Sequence, residues 1–497
     1  MILAKISRMA RDQSEKIAAV QDGRAYSYGH FARWIGAASG TISTHALPAG
    51  GIAVIFADRL IEAWVLALAL RNLGFTTIAV RDAAQIAELG LPGTAFAVAM
   101  GLERAALPPG FGASTLPLVM VPDELEFSST KSAMPELGKG NSPPGGHIMM
   151  TSGTTGRSKK VLRNAATEDL LIPLHARINS IEESSVVYAS SFAQWTAGGY
   201  RWPLITWSMG GTVVFHQGQD LHRPLFDYEM THLFATPLML SGLLQKPVDQ
   251  LRRNDGTRLM VTGGALSKAA AAAVRQRLSC RLYSVLASTE ALTVAVTPVE
   301  CDEDLHWHRI HPERDVQVVD DAGHQLPAGQ AGQVRIRILD GLTGYLQDEE
   351  ATRTFFRGGW FYPGDLGVFR EDGRLSLEGR ASDVVTVLGV KVATGPIEQA
   401  LQDRLGAEAV CIVAIRPEHE DEEIHVVIHS RRDLSGTNLR ALIASELRPL
   451  GHVGVYVDLV RAFPRNDMGK IERPALRQRL LARRARRIAR SQVPPRN

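Results

Sequence analysis

Residues 151–160 combine the side chains and backbone that proteins use to hold phosphate groups. They read TSGTTGRSKK and directly follow the apolar run 148–150. Small residues let backbone amides and hydroxyl groups point at one phosphate, while the two lysines supply positive charge. The pattern is not a Walker loop, because its two glycines are too close together and neither is followed by lysine. The segment predicts a phosphate-binding loop, with these contact residues: Thr151, Ser152, Gly153, Thr154, Thr155, Gly156 and Lys159.

Four later segments could add the rest of a nucleotide site. Glycines in 261–267 would let the backbone approach a flat ring, and 288–290 offers a hydroxyl and a carboxylate suited to a cation shared with phosphates. The carboxylate in 360–367 could accept two hydroxyl donors, and the lysine in 464–473 could neutralise a reacting group. Taken singly, each also fits an ordinary role: a strand-to-helix turn, a helix cap, a turn between strands, or a surface lysine.

The order of these segments resembles that of the adenylate-forming enzymes: acyl-CoA synthetases, luciferases and peptide-synthetase adenylation domains. Their phosphate loop reads Ser-Gly-Thr-Thr-Gly-x-Pro-Lys-Gly, and Lys159 matches its lysine, while Ser158 and Lys160 replace the proline and the final glycine. Leu286 stands where the family has an aromatic residue on the adenine. A different residue, such as Tyr283, would then have to pack against that ring.

The resemblance implies a role for each matched residue. Gly263, Gly264 and Ala265 match the turn against adenine. Thr289 matches the residue that meets the α-phosphate, and Glu290 the one that holds Mg²⁺.

The remaining matches lie in the carboxy-terminal third of the chain. Asp365 matches the residue that accepts both ribose hydroxyls, and Arg380 the one that reaches ribose and phosphate. Lys470 matches the lysine between the substrate carboxylate and the α-phosphate. Gly389 lies at the family's spacing for the loop that lines the thiol tunnel.

What the resemblance implies is a ligase that uses ATP, Mg²⁺ and coenzyme A and works through an acyl-adenylate. Residues 190–207 match part of the acid pocket; they contain five aromatic residues and no aspartate for an amino group. We therefore expect a small aryl or medium acyl acid without an amino group, although these aromatics also fit a core. Two alternatives stay open: loading of a carrier-protein pantetheine, and a nucleotide-binding homologue without catalysis.

The hydrophobic pattern places these segments on an α/β fold. Strand, helix and strand patterns at 52–56, 60–73 and 76–80 have the rhythm of a parallel sheet. Alternation after Gln330 predicts antiparallel hairpins, and a second α+β unit begins beyond Gly379. We expect a large layered α/β domain over 1–381 and a small mobile α+β domain over 382–497.

Composition restricts the partners. The formal net charge is +3, yet eight arginines lie between Arg477 and Arg496, and without them it becomes −5. Because no basic excess precedes this tail, we expect no nucleic-acid partner. We interpret the tail as a solvated helix end, with attraction to an acidic carrier protein, membrane or nucleic acid as the alternative.

The same composition argues for a cytoplasmic protein. Its three cysteines are too few for a disulfide framework or a four-ligand zinc site. The longest apolar run, 63–70, falls far short of the roughly 20 residues that span a bilayer. We therefore expect no membrane span, no secretion signal and a cytoplasmic location.

Overall fold

The protein is described here by a computed structural model. It describes residues 1–80, 86, 89–101, 116–121, 135–138, 143–151, 159–189, 194, 196–216, 228–381, 384–387, 390–415, 423–446, 455–465 and 470–491. The helices are α1 (Ile2–Asp12), α2 (Tyr28–Ser43), α3 (Leu60–Asn72), α4 (Ala165–Asn179), α5 (Ala197–Met209), α6 (Pro237–Leu244), α7 (Lys268–Arg277), α8 (Glu349–Phe355), α9 (Gly395–Leu405), α10 (Leu439–Glu446) and α11 (Arg473–Ser491).

The strands of the first two sheets run from β1 to β14. They are β1 (Ile17–Gln21), β2 (Arg24–Ser27), β3 (Ile52–Ala57), β4 (Thr76–Ala79), β5 (Phe96–Met100), β6 (Leu118–Val121), β7 (His147–Thr151), β8 (Lys159–Arg163), β9 (Val186–Tyr188), β10 (Thr212–Phe215), β11 (His232–Ala235), β12 (Arg258–Val261), β13 (Leu282–Ser288) and β14 (Leu292–Pro298).

The remaining strands belong to three antiparallel or mixed sheets. They are β15 (Trp307–Arg309), β16 (Val316–Val319), β17 (Ala331–Arg337), β18 (Phe356–Arg357), β19 (Trp360–Phe361), β20 (Asp365–Phe369), β21 (Arg374–Arg380), β22 (Val384–Val387), β23 (Val390–Ala393), β24 (Ala409–Ile415), β25 (Glu423–His429) and β26 (Val455–Leu459).

Two largely parallel sheets build the large domain. One has the order β6-β5-β3-β4-β7-β8 and the other β14-β13-β12-β11-β9-β10-β1-β2, with antiparallel pairs only at β7–β8, β13–β14 and β1–β2. Helix α3 has eleven buried residues of its thirteen, because it lies in the core between elements of both sheets. Its first turn is capped by Glu62, whose carboxylate accepts the backbone N–H of Arg59 at 3.0 Å. The predicted α/β layers are confirmed.

An antiparallel sheet follows, with the order β15-β21-β20-β17-β19-β18 and β16 paired to β17. It contains the hairpins predicted after Gln330, and its hydrophobic cluster includes Val318, Val334 and Leu375. The sheet therefore sets the positions of the residues at the ends of β20 and β21.

The small carboxy-terminal domain is confirmed as an α+β unit. It has one three-stranded sheet, β24-β25-β26. Helices α9 and α10 pack with this sheet in one hydrophobic cluster, and α11 packs with it in another. Apolar runs at 409–415 and 424–429 predict two of its strands; β24 has the first of these bounds, and β25 begins one residue earlier than the second run. The boundary between 381 and 382 remains a prediction. Over the residues that the structure describes, no helix is both long and apolar enough to cross a bilayer.

Gly145, just before β7, allows a test of the packing around the strand that leads into the predicted phosphate loop. Gly145 is buried, and a Cβ added there would overlap the Phe75 carbonyl. We expect Gly145→Ala to lower the free energy of unfolding by about 2 kcal/mol or more, because backbone cannot yield as a flexible side chain does. Gly40, in α2, has no atom within 4 Å of its added Cβ. Gly40→Ala should instead raise stability by about 0.5–1 kcal/mol; equal effects of the two variants in denaturant unfolding would contradict this packing.

Candidate active site

The ends of the predicted phosphate loop are held together by strand pairing. Thr151 and Lys159 are register partners at the ends of β7 and β8. Six predicted site residues lie outside the described residues: Ser152, Gly153, Thr154, Thr155, Gly156 and Gly389. Their contacts stay predictions.

A buried arginine connects β8 to the turn that carries two predicted catalytic residues. Arg163, the last residue of β8, is 1 % exposed. Its Nη2 donates to the carbonyl oxygens of Thr289 at 2.9 Å and Glu290 at 2.6 Å, and the guanidinium forms an ion pair with Asp340. These contacts fix the β13–β14 turn beside the strand that begins with Lys159.

The Glu290 carboxylate lies beside an ammonium group and a phenol. The Tyr345 hydroxyl donates to Glu290 Oε1 at 2.6 Å. Burial, followed by the charge of Glu290, raises the pKa of Tyr345, so the phenol stays protonated as the donor. The Lys159 ammonium lies 3.9 Å from the centroid of the Phe355 ring. Burial lowers the pKa of Lys159, while the carboxylates of Glu290 and Asp348 oppose the shift.

Asp365 and Arg380 face each other across the antiparallel sheet. They are register partners at the start of β20 and the end of β21, and Arg380 Nε lies 2.8 Å from Asp365 Oδ1. Arg380 Nη1 also donates to the Pro363 carbonyl at 2.7 Å. The carboxylate is thereby oriented at the end of the large domain.

Lys470 reaches this group from the small domain. An antiparallel bridge between Arg465 and Ile471 fixes the chain beside it. Desolvation lowers the pKa of Lys470, as does the Arg380 charge, while Asp365 and Glu290 oppose the shift.

The glycine turn predicted to meet adenine follows β12. Gly263 has a φ of +83°, which a residue with a side chain rarely adopts, and Gly264 and Ala265 are exposed. Strands β12 and β13 are parallel, so this turn lies at the sheet edge toward which β13 also runs. Leu286 packs against the antiparallel sheet. The Tyr283 ring lies 5.0 Å from the Arg258 guanidinium, so it already has a partner.

A single carboxylate suits the metal that the resemblance implies. Among the described residues, no three His, Cys, Asp or Glu side chains cluster as a metal cage. Mg²⁺ commonly takes one or two protein carboxylates and fills its other positions with water and substrate phosphates. The buried Glu290, oriented by Tyr345, fits this requirement.

Three residues of this site were missed by the sequence reasoning: Arg163, Asp340 and Tyr345. Tyr345 lies 55 residues after Glu290, and no local periodicity connects them. The available signal was an isolated tyrosine in a glycine-rich polar segment, after Gly344. Gly344 itself is required there, because an added Cβ would overlap Thr352.

A cavity of about 500 Å³ lies next to this cluster without being part of it. Its lining includes Arg163, Asp340 and Tyr345 but none of the other charged residues brought together above.

A comparison with known protein families identifies the family to which this sequence belongs. The family model described as "AMP-binding enzyme" matches residues 6–346, more than two thirds of the chain. The chain belongs to the AMP-binding enzyme family. The resemblance to adenylate-forming enzymes is thereby confirmed.

Two curated members of the family show similar sequences. One is a 3-hydroxybenzoate–CoA ligase of Aromatoleum sp. (strain CIB), 25 % identical over 363 residues that cover 67 % of this chain and 66 % of the relative. The other is a fatty acid–[acyl-carrier-protein] ligase, ScoC, of Streptomyces coeruleorubidus, 27 % identical over 364 residues that cover 68 % of each chain. The similarity thus spans about two thirds of these relatives.

A solved structure with the same fold covers nearly the whole chain. The amide bond synthetase McbA from Marinactinospora thermotolerans superposes with a TM-score of 0.78, is 21 % identical, and matches 96 % of this chain and 99 % of its own. At this identity the likeness establishes the fold of both domains.

The Tyr345 hydroxyl provides a test of how the carboxylate is held. We expect Tyr345→Phe to raise the Mg²⁺ concentration needed for half-maximal ATP–pyrophosphate exchange by about tenfold, because one hydrogen bond to a charged group is lost. Tyr456→Phe, at an exposed tyrosine on β26, is the matched control and should leave it unchanged. An unchanged Mg²⁺ requirement in Tyr345→Phe would show that the phenol does not position Glu290.

Proposed function

We propose that the protein joins a carboxylic acid to the thiol of coenzyme A, through an acyl-adenylate made from ATP. The strongest support is an electrostatic interaction between the two domains. Lys470 of the small domain interacts with Glu290 and with the Asp365–Arg380 ion pair of the large domain. Nucleotidyl transfer to an acid requires charged groups that stabilise the developing negative charge, and these residues from two domains are of that kind.

In the first step an oxygen of the substrate carboxylate bonds to the α-phosphorus of ATP, and the bond to the leaving pyrophosphate breaks. Lys470 would neutralise negative charge that gathers between the two reactants. Asp365 would hold the ribose, and Lys159 the phosphates. Glu290 would hold Mg²⁺, which when bound would add charge neutralisation at the phosphates.

In the second step a thiol attacks the carboxyl carbon of the adenylate. The carbon–oxygen bond to AMP breaks, the thioester forms, and the thiol proton is released. Coenzyme A is the proposed thiol, as in the name of the Aromatoleum relative. Gly389 would line its approach.

A carrier-protein pantetheine is the second candidate acceptor. The name of the Streptomyces relative states that reaction, and α11 is rich in arginine. However, the start of the tail is not a free solvated end, as the sequence suggested. Leu480 is 5 % exposed in the core of the small domain, and Arg484 pairs with Glu423 at 2.9 Å.

A nucleotide-binding protein without catalysis is less well supported. Although Leu286 and Ser158 depart from the family pattern, Glu290, Asp365 and Lys470 keep their motif residues and interact electrostatically. Loss of catalysis leaves no reason to retain that grouping.

The acid remains the least defined reactant. Tyr200 stacks on Trp64 with centroids 5.3 Å apart, Trp202 stacks on Phe234 at 3.7 Å, and Trp207 is fully buried. These rings are core residues and give little support to an aryl substrate. Trp195 lies outside the described residues.

Pyrophosphate release with a panel of carboxylic acids tests the proposal. We expect acid-dependent release, and thioester formation only when coenzyme A is added. Transfer to an acidic carrier protein but not to coenzyme A would establish the second candidate. In that case Arg479→Glu, at an exposed arginine of α11, should slow transfer in a salt-dependent manner. ATP binding without release for any acid would indicate the non-catalytic homologue.

Lys470 allows the two half-reactions to be separated. We expect Lys470→Ala to slow adenylate formation by about 10²-fold or more, because a charged contact to the transition state is lost. Thioester formation from a synthetic acyl-adenylate should be largely spared. Arg479→Ala serves as the control. Equal loss in both half-reactions would contradict a role confined to adenylation.

A further inference from the structure

One buried arginine lacks a partner. Arg201, in α5, is 8 % exposed. In the described parts of the chain it donates no hydrogen bond and forms no ion pair, whereas the other buried arginines, Arg71, Arg163 and Arg314, all donate to acceptors. Burying an unpaired cation costs several kcal/mol. A protein that keeps such a group in place has a use for its charge.

The guanidinium of Arg201 faces an accessible space. The Nε atoms of Arg163 and Arg314 are fully enclosed and unpaired, and both ring nitrogens of His175 are also enclosed. No nitrogen of Arg201 is enclosed in this way, although none has a partner. The remaining exposed surface therefore includes the donor atoms, and an acceptor can reach them.

The surroundings of Arg201 are cationic. Burial lowers its pKa to about 9, and the charges of Arg163 and Arg314 act in the same direction. Glu168 is the carboxylate that acts most on it, but it pairs with Arg71 at 2.6 Å and accepts the Tyr200 hydroxyl at 3.1 Å. No hydrogen bond joins Glu168 to Arg201. Glu168 thus compensates the charge of Arg201 only at a distance, and among the described residues no group pairs with it directly.

The position of Arg201 separates it from the reacting end of the substrate. Arg163 connects Arg201 with the turn at Thr289 and Glu290. Its charge helps to lower the pKa of Arg201, and its guanidinium donates to the carbonyls of that turn. Lys470 interacts with Glu290 on the other side of that turn. Arg201 belongs to residues 190–207, which match part of the acid pocket, so an acid that reacts near Lys470 would meet α5 with its far end.

We propose that Arg201 binds a second carboxylate at the far end of the substrate, so that the acid activated by this protein is a dicarboxylic acid. This inference rests on the proposed function. Five donors in a planar fork match a carboxylate, and a low-dielectric site strengthens the contact. The absence of aspartate from 190–207 agrees, since an anion there would repel the second carboxylate.

The experiment compares each diacid with its own monomethyl ester, which keeps the length but loses the second charge. Linear and aromatic diacids of increasing length are the probes, in ATP–pyrophosphate exchange. We expect kcat/KM for the best diacid to exceed that of its ester by about 100-fold. Arg201→Leu should abolish this ratio through loss of diacid activity while ester activity is kept, and Arg201→Lys should restore part of it. Arg177→Leu, at an exposed arginine of α4, is the control and should keep the ratio.

Two measurements distinguish this inference from the proposed function. The first is binding of the diacid by calorimetry, which needs no turnover. If no acid supports exchange but binding is lost in Arg201→Leu, the proposed function fails and the inference stands. If the wild type activates esters as well as diacids, or if Arg201→Leu lowers both alike, the inference fails and the function stands. Diacid binding that is unchanged in Arg201→Leu also overturns it.

The second measurement is thermal unfolding without substrate. Because Arg201 has no partner to lose, Arg201→Leu should keep or raise the unfolding temperature. A marked decrease would assign Arg201 a structural role and overturn the inference.

Discussion

The site depends on one buried guanidinium. Arg163 ends β8, and its contacts reach the Thr289–Glu290 turn of the second sheet and Asp340 after β17. Burying the charge of Arg163 is costly unless it is paired, and these acceptors offset part of that cost by meeting at one point. A leucine at this position would pack well but would leave the turn unattached. The orientation of Glu290 thus follows from how the charge of Arg163 is compensated.

The segment after Asp340 is attached to the same strand by a second set of bonds. Leu346 N donates to the Lys160 carbonyl at 2.8 Å, and Lys160 Nζ donates to Gln347 Oε1 at 2.6 Å. These bonds place Tyr345 against Glu290. Lys160, which departs from the family glycine, therefore has a structural partner in this chain.

Attachment of the small domain uses the same kind of interaction. Arg473, three residues after Lys470, pairs with Glu398 at 2.8 Å and donates to the Ile412 carbonyl at 2.7 Å. It fixes the start of α11 to α9 and β24, while Leu480 fills the cluster beneath. Within the tail itself, Arg484 pairs with Glu423, so part of a segment that looks solvated in the sequence also stabilises the domain that carries Lys470.

The sequence by itself determined the α/β layers and the α+β character of the small domain, and it predicted the charged residues of the candidate site. These features are local: periodicity records which face is buried, and each motif carries its own chemistry, as Glu290, Asp365 and Lys470 show. Only the tertiary structure decided that Tyr345 holds Glu290, that Leu480 is buried and that Arg201 has no partner among the described residues. Such facts depend on which distant groups meet and on how far each charge is removed from water, and neighbouring residues in a sequence do not encode either.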